Sequence, residues 1–128
     1  MSFMEIREDR SYTKDHEWAV REGNTLRVGI TDYAQDALGD VVFVQLPAVG
    51  AQVTTGTSFA EVESTKSVSD IYAPATGKVL AVNTDLESQP ELINSAPYEG
   101  GWIAVIELSD GADPELMSAA DYATMTEV

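Results

Sequence analysis

The chain has 128 residues, 44% of them apolar, with 22 acidic against seven basic side chains and no cysteine. That length makes one domain, 1–128, able to bury roughly two-thirds of the surface its unfolded chain exposes. A net charge of −15 repels phosphate backbones and anionic lipid, which disfavours nucleic acid and membranes as partners, and the missing thiol excludes disulfides and thiolate nucleophiles.

Met1–Arg10 carries acids and lacks the apolar stretch of a signal peptide, so the expected location is the bacterial cytoplasm, or a leader has already been removed. Trp18–Arg21 and Thr25–Ile30 read as strands around a turn at Glu22-Gly23-Asn24. Leu26, Val28 and Ile30 alternate and mark one buried face. Thr31–Gly39 reads as a short helix, with Thr31 or Asp32 as N-cap and Gly39 past its end. Val41–Leu46 is expected as a buried strand closed by Pro47. Further strands are expected around Ser58–Ser64, Val68–Ala73, Lys78–Val82 and Trp102–Leu108. Gly50–Val53 and Gly77–Val79 form a weak echo, each opening a strand after a turn.

Asp85–Asn94 is expected to be loop with at most one helical turn. Asp113-Pro114-Glu115 has the cap, proline and early acid of a helix start. A C-terminal helical segment is therefore expected over about 113–126, with Ser118–Met125 as its second piece and Leu116, Met117 and Tyr122 as packing residues. The sum is a mainly β domain, two sheets or a flattened barrel, with helices at the periphery.

Equipment for independent chemistry is sparse. His16 is the only histidine, so a conventional zinc site is excluded. A Ser-His-Asp triad would lack the Gly-x-Ser-x-Gly elbow, and no glycine-rich phosphate loop occurs. No apolar run approaches the ~20 residues that cross a bilayer. Against this background one residue stands out. Lys66, one of three lysines, lies where two apolar-alternating runs meet, ten residues after Gly56 and eleven before Gly77. That is the pattern of a β-hairpin with lysine at its tip, although turn geometry favours Gly, Asn, Asp or Pro there.

The order and spacing of several segments carry a resemblance. They are Thr13-Lys-Asp-His-Glu-Trp18, Val28-Gly-Ile-Thr-Asp-Tyr-Ala-Gln35, Leu38-Gly-Asp-Val-Val-Phe-Val44 and Leu46-Pro-Ala-Val-Gly50. Val62-Glu-Ser-Thr-Lys-Ser-Val-Ser-Asp70, Tyr72-Ala-Pro-Ala-Thr-Gly77, Val82-Asn83 and Pro97-Tyr-Glu-Gly-Gly-Trp102 continue it. Over nearly its whole length the chain resembles the H-proteins of the glycine cleavage system, which are lipoyl carriers. The resemblance implies a barrel-sandwich hybrid fold with lipoate in amide linkage to Lys66.

It also implies partners: a pyridoxal-phosphate glycine decarboxylase that loads an aminomethyl group, a tetrahydrofolate-dependent aminomethyltransferase that removes it, and a flavin (FAD) dihydrolipoyl dehydrogenase that reoxidises the dithiol. A lipoate ligase or a lipoyl/octanoyl transferase would modify Lys66, with Glu63 as part of what it recognises. Glu17 and Asp70 match positions of a cleft that receives the loaded arm, where carboxylates would pair with its cationic amine and the walls exclude water. The carrier itself would not be an enzyme, and a monomer is expected, since a shuttle must free its surface.

His16 and Trp18 are read as structural, and Tyr98 and Trp102 as anchors for the Pro97–Trp102 loop. Thr65 and Ser67 depart from the valine and alanine usual beside the lysine, and Ala37 replaces a histidine that some relatives carry near the cleft. Three other readings compete: a lipoate relay protein with little role in glycine cleavage, a biotin carrier, and an unmodified interaction module.

Overall fold

The computed structural model describes residues 5–112, 114 and 116–126. Among these residues nine strands form two antiparallel sheets. The larger contains β1 (Ser11–Tyr12), β2 (Glu17–Glu22), β3 (Thr25–Ile30), β9 (Ala104–Leu108), β8 (Gly77–Val82) and β5 (Gln52–Val53), in that spatial order. The smaller orders β4 (Val41–Gln45), β6 (Ser58–Ser64) and β7 (Val68–Tyr72). Helices α1 (Asp32–Leu38), α2 (Asp85–Ser88), α3 (Leu92–Ser95) and α4 (Ala119–Thr126) lie around them. This is the mainly β sandwich with peripheral helices that the sequence predicts. The two segments of the sequence echo turn out to be neighbours: Gln52 pairs with Lys78 and Val53 with Gly77.

Alternating apolar residues explain the sandwich, because a strand buries every second side chain. Val44 and Val62 pair across the small sheet and join Ile30, Leu38, Ile71, Ile93 and Ile103 in one core cluster. Leu26, Val28, Val79 and Ile106 build a second on the large sheet. The third is aromatic: Tyr12 and Tyr122 stack with centroids 4.5 Å apart, and the Trp18 indole N–H donates to the Pro97 carbonyl at 2.9 Å. Trp18 lies so close to Gly29 that a Cβ there would stand 2.6 Å from its ring, so glycine is the residue this contact requires.

The α1 caps follow the sequence reading and settle its choice of cap. Thr31 is the N-cap and accepts the Ala34 N–H at 3.2 Å. Gly39, at φ 82°, returns its N–H to the Gln35 carbonyl. A hydrogen-bond chain ties this helix start to α4: the Tyr122 hydroxyl lies 2.7 Å from Thr31 Oγ1 and 2.9 Å from His16 Nδ1. The direction that satisfies all three groups has Thr31 donating to Tyr122 and Tyr122 donating to a neutral imidazole. Burial, which lowers the His16 pKa, favours that neutral form. His16 and Trp18 thus have the structural roles expected of them.

Three expectations are corrected. β4 is not a buried strand: a register shift between Val41 and Phe43 leaves Val42 and Phe43 both exposed. Asp85–Asn94 holds parts of two helices, α2 and α3, rather than at most one turn. The chain at Met117 is extended and forms a bridge with Tyr12, so the helix begins only at Ala119, where the Ser118 hydroxyl accepts the Asp121 N–H at 3.1 Å. Asp113 and Glu115 lie outside the described residues.

Candidate functional site

Lys66 sits on the loop Thr65–Ser67 that joins β6 to β7, and it is exposed. What fixes this loop is Ser64. Its hydroxyl accepts the backbone N–H groups of Lys66 and Ser67, each at 3.1 Å, and faces the Ser67 carbonyl at 3.2 Å. The Ser64 N–H closes the turn on that same carbonyl at 2.8 Å. A serine hydroxyl satisfying consecutive backbone donors is a local turn device, and it does here what glycine or asparagine would otherwise do. The tip is also tied sideways, because the Thr65 N–H donates to the Asp40 carbonyl at 3.0 Å.

Asp40 belongs to the α1–β4 connection, which Asn94 of α3 braces. The Asn94 amide donates to Gly39 O and Gln35 Oε1, both at 2.9 Å, and its oxygen accepts the Val41 N–H at 2.9 Å. Gly39 gives the lysine its space. A Cβ at Gly39 would come within 2.9 Å of Lys66 Cε, so the methylene stem lies across a glycine surface. The amine makes no ion pair among the described residues.

Sequence reasoning did not single out Ser64, Asn94 or Gly39 for the lysine. A serine at a strand end was the available signal for the first. Replacing Ser64 by alanine removes about three part-buried hydrogen bonds, each with a net value of about 1 kcal/mol. The expected result is a loss of about 1–3 kcal/mol and faster amide exchange at Lys66 and Ser67 than at the β6 strand amides. Hydrogen-exchange NMR checks it, and unchanged protection at the tip would show that the hydroxyl does not hold the loop.

Of the other expected site residues, Glu63 and Asp70 lie on the hairpin and Glu17 lies on β2. Glu63 pairs with Phe43 and Val68 across the small sheet and is exposed, one strand position from the loop. Asp70 is exposed on β7 and accepts the Ser58 hydroxyl at 3.0 Å. Glu17 is buried, only 2% exposed. Its Oε2 accepts the Tyr72 N–H at 2.7 Å and its Oε1 the Thr13 hydroxyl at 3.0 Å. Burial outweighs those bonds and raises its pKa to about 7.

Glu17 therefore bolts the base of the hairpin to β2, and it also lines a groove of about 940 Å³ with Thr13, Asp15, Gly56, Pro74 and Leu116. Asp70 and Tyr72 follow Lys66 by four and six residues, or about 13 and 20 Å along an extended strand. The structure thus puts both acids along or beside β7, not at the tip.

Among the described residues no cluster of His, Asp and Glu is placed to hold a metal ion, and no helix is long and apolar enough to cross a membrane. A single lysine held out on a braced hairpin is the geometry of a domain that presents a group at its surface.

The family model for the glycine cleavage H-protein matches residues 10–128. The chain is 59% identical over 130 aligned positions to a glycine cleavage system H protein of Mycobacterium avium, covering 96% of this chain and 98% of that one. It is 60% identical over 124 positions to that of Micrococcus luteus, covering 94% and 97%. The crystal structure of a glycine cleavage system H protein from Mycobacterium marinum superposes with a TM-score of 0.88 at 46% identity, covering 96% of this chain and all of the other. The chain belongs to the glycine cleavage H-protein family.

Proposed function

We propose that Lys66 carries lipoate in amide linkage and that the protein is the lipoyl-bearing shuttle of glycine cleavage. It would serve glycine decarboxylase, the tetrahydrofolate-dependent aminomethyltransferase and dihydrolipoyl dehydrogenase in turn. The observation that carries this reading is the hold on Lys66: a backbone fixed by Ser64, a stem lying over Gly39 and an exposed amine. These residues fit the attachment. Acylation needs a reachable amine, and the glycine at position 39 leaves the stem the room a Cβ would fill.

When attached, lipoate supplies a cyclic disulfide able to take up a one-carbon amine together with two electrons. The protein's own part is presentation. A long tether on a rigid tip raises the local concentration of the reactive group at each docked enzyme, and the braced loop keeps the attachment point at the surface. Glu63, exposed beside the loop, is assigned to recognition by the lipoate ligase or lipoyl/octanoyl transferase. Asp70 on β7 and Glu17 on the groove wall are assigned to the cationic amine of the loaded arm. Glu17, with its pKa near 7, favours its charged form more as a cation approaches. The net charge of −15 suits a shuttle steered to basic docking faces.

Glycine-dependent exchange of labelled bicarbonate, catalysed by glycine decarboxylase with the lipoylated protein as acceptor, tests this reading. Exchange that saturates with the protein supports it. Exchange at the protein-free background from fully lipoylated protein would contradict it and favour a lipoate relay.

A further inference from the structure

The outer face of the small sheet carries a feature that burial does not explain. Among the described residues six large apolar side chains are exposed, and three of them, Val42 (49%), Phe43 (54%) and Val68 (58%), surround the Lys66 loop. The strand register puts them together. Phe43 pairs with Glu63 and Glu63 with Val68, so Phe43, Glu63 and Val68 form one cross-strand row, spaced as neighbours on a single sheet face, with Val42 beside Phe43 at the register shift. Val68 is two residues from Lys66. The next row inward, Val44 and Val62, faces the core instead.

The register shift at Val42 breaks the alternation of β4 and turns two consecutive apolar residues to solvent, the kind of re-aiming that bulges perform. β4 is also an edge strand, where exposed apolar residues invite unwanted pairing. A persistent apolar patch there is best explained by a partner.

We infer that the Val42–Phe43–Val68 ledge, with Glu63 at its centre, is the docking surface for the enzyme that acylates Lys66. This rests on the Lys66 attachment proposed above and extends it to residues beyond the lysine and Glu63. Reach selects that partner over the others. Before acylation the reacting atom is Nζ, four methylenes from the backbone, so the acylating enzyme must press against the tip. Enzymes that engage the finished arm act farther out and need not touch the ledge. Charge describes the partner's complement: Asp40, Glu63 and Asp70 are exposed around the ledge, so the matching face is an apolar socket with a basic rim. In the step it serves, the amine attacks the acyl carbon of lipoyl adenylate. The amide bond forms, the acyl–phosphate bond breaks, AMP leaves, and Nζ gives up a proton.

The test measures acylation of the unmodified protein by a lipoate–protein ligase supplied with ATP and lipoate, for the unsubstituted chain, Phe43→Ser, Val68→Ser, and Leu80→Ser. Leu80 is an exposed leucine of β8 in the other sheet. The expected result is a KM for the protein raised about tenfold by either ledge substitution, with kcat within a factor of about two and no change for Leu80→Ser. Binding of the ligase to Lys66→Arg protein, with and without Phe43→Ser, gives a readout independent of acylation and is expected to weaken by about the same factor. Normal acylation with KM and binding unmoved by both ledge substitutions would overturn the ledge while leaving the lysine reading intact. No acylation of the unsubstituted, folded protein would overturn both.

Discussion

Replacing Lys66 by arginine is expected to reduce glycine-dependent bicarbonate exchange to the protein-free background without measurable loss of stability. Arginine keeps the positive charge and a flexible stem, but its guanidinium stays protonated under all ordinary conditions and is no acyl acceptor. The Lys66 amine makes no ion pair among the described residues, and the backbone hold by Ser64 does not involve the side chain. An exposed substitution of this kind changes stability by about 0.5 kcal/mol or less, so the melting temperature should move by only about 2 °C. Residual exchange well above background would mean that the transferred group does not depend on Lys66.

The second large effect concerns Glu17. Its pKa is raised to about 7 from an ordinary value of 4.5, chiefly by burial, against the pull of the Tyr72 and Thr13 hydrogen bonds. Between those two values the folded protein binds more protons than the unfolded chain, so stability falls as pH rises. The penalty is absent below about pH 4 and complete above about pH 7, and it amounts to about 3 kcal/mol. Glu17→Gln keeps an oxygen for the Tyr72 N–H and cannot ionise. The variant should match the parent within about 1 kcal/mol near pH 4 and exceed it by about 3 kcal/mol above pH 7.5. Urea unfolding of both proteins across this range reads the difference directly. A constant difference at every pH would show that folding does not raise the Glu17 pKa.

The parts of this protein that were legible in the sequence are those written in local chemistry. Thr31 and Gly39 announce α1 because caps act within a few residues. The two runs that meet at Lys66 announce a hairpin because period-two alternation is itself a strand signal. Long-range pairing accounts for what was not legible. β1 is two residues long and exists through β2. The exposure of Val42 and Phe43 follows from their register against β6, which no window on β4 contains.

The same holds at the site. Lys66 could be found from its unusual place in a turn, but Asn94 braces Gly39 from 55 residues away and Glu17 reaches Tyr72 across 55. Glu17 lines a groove, where a cleft carboxylate is expected, and the burial and the bond to Tyr72 that it also has come from distant parts of the chain that no local window contains.

Attachment at one lysine can be read from the intact mass of protein made in lipoate-supplied cells, with peptide mapping of any adduct. The expected result is a single lipoyl addition confined to the peptide containing Lys66 and absent from Lys66→Arg. An unmodified Lys66 in cells whose ligase loads another carrier, or an adduct on Lys14 or Lys78, would contradict it.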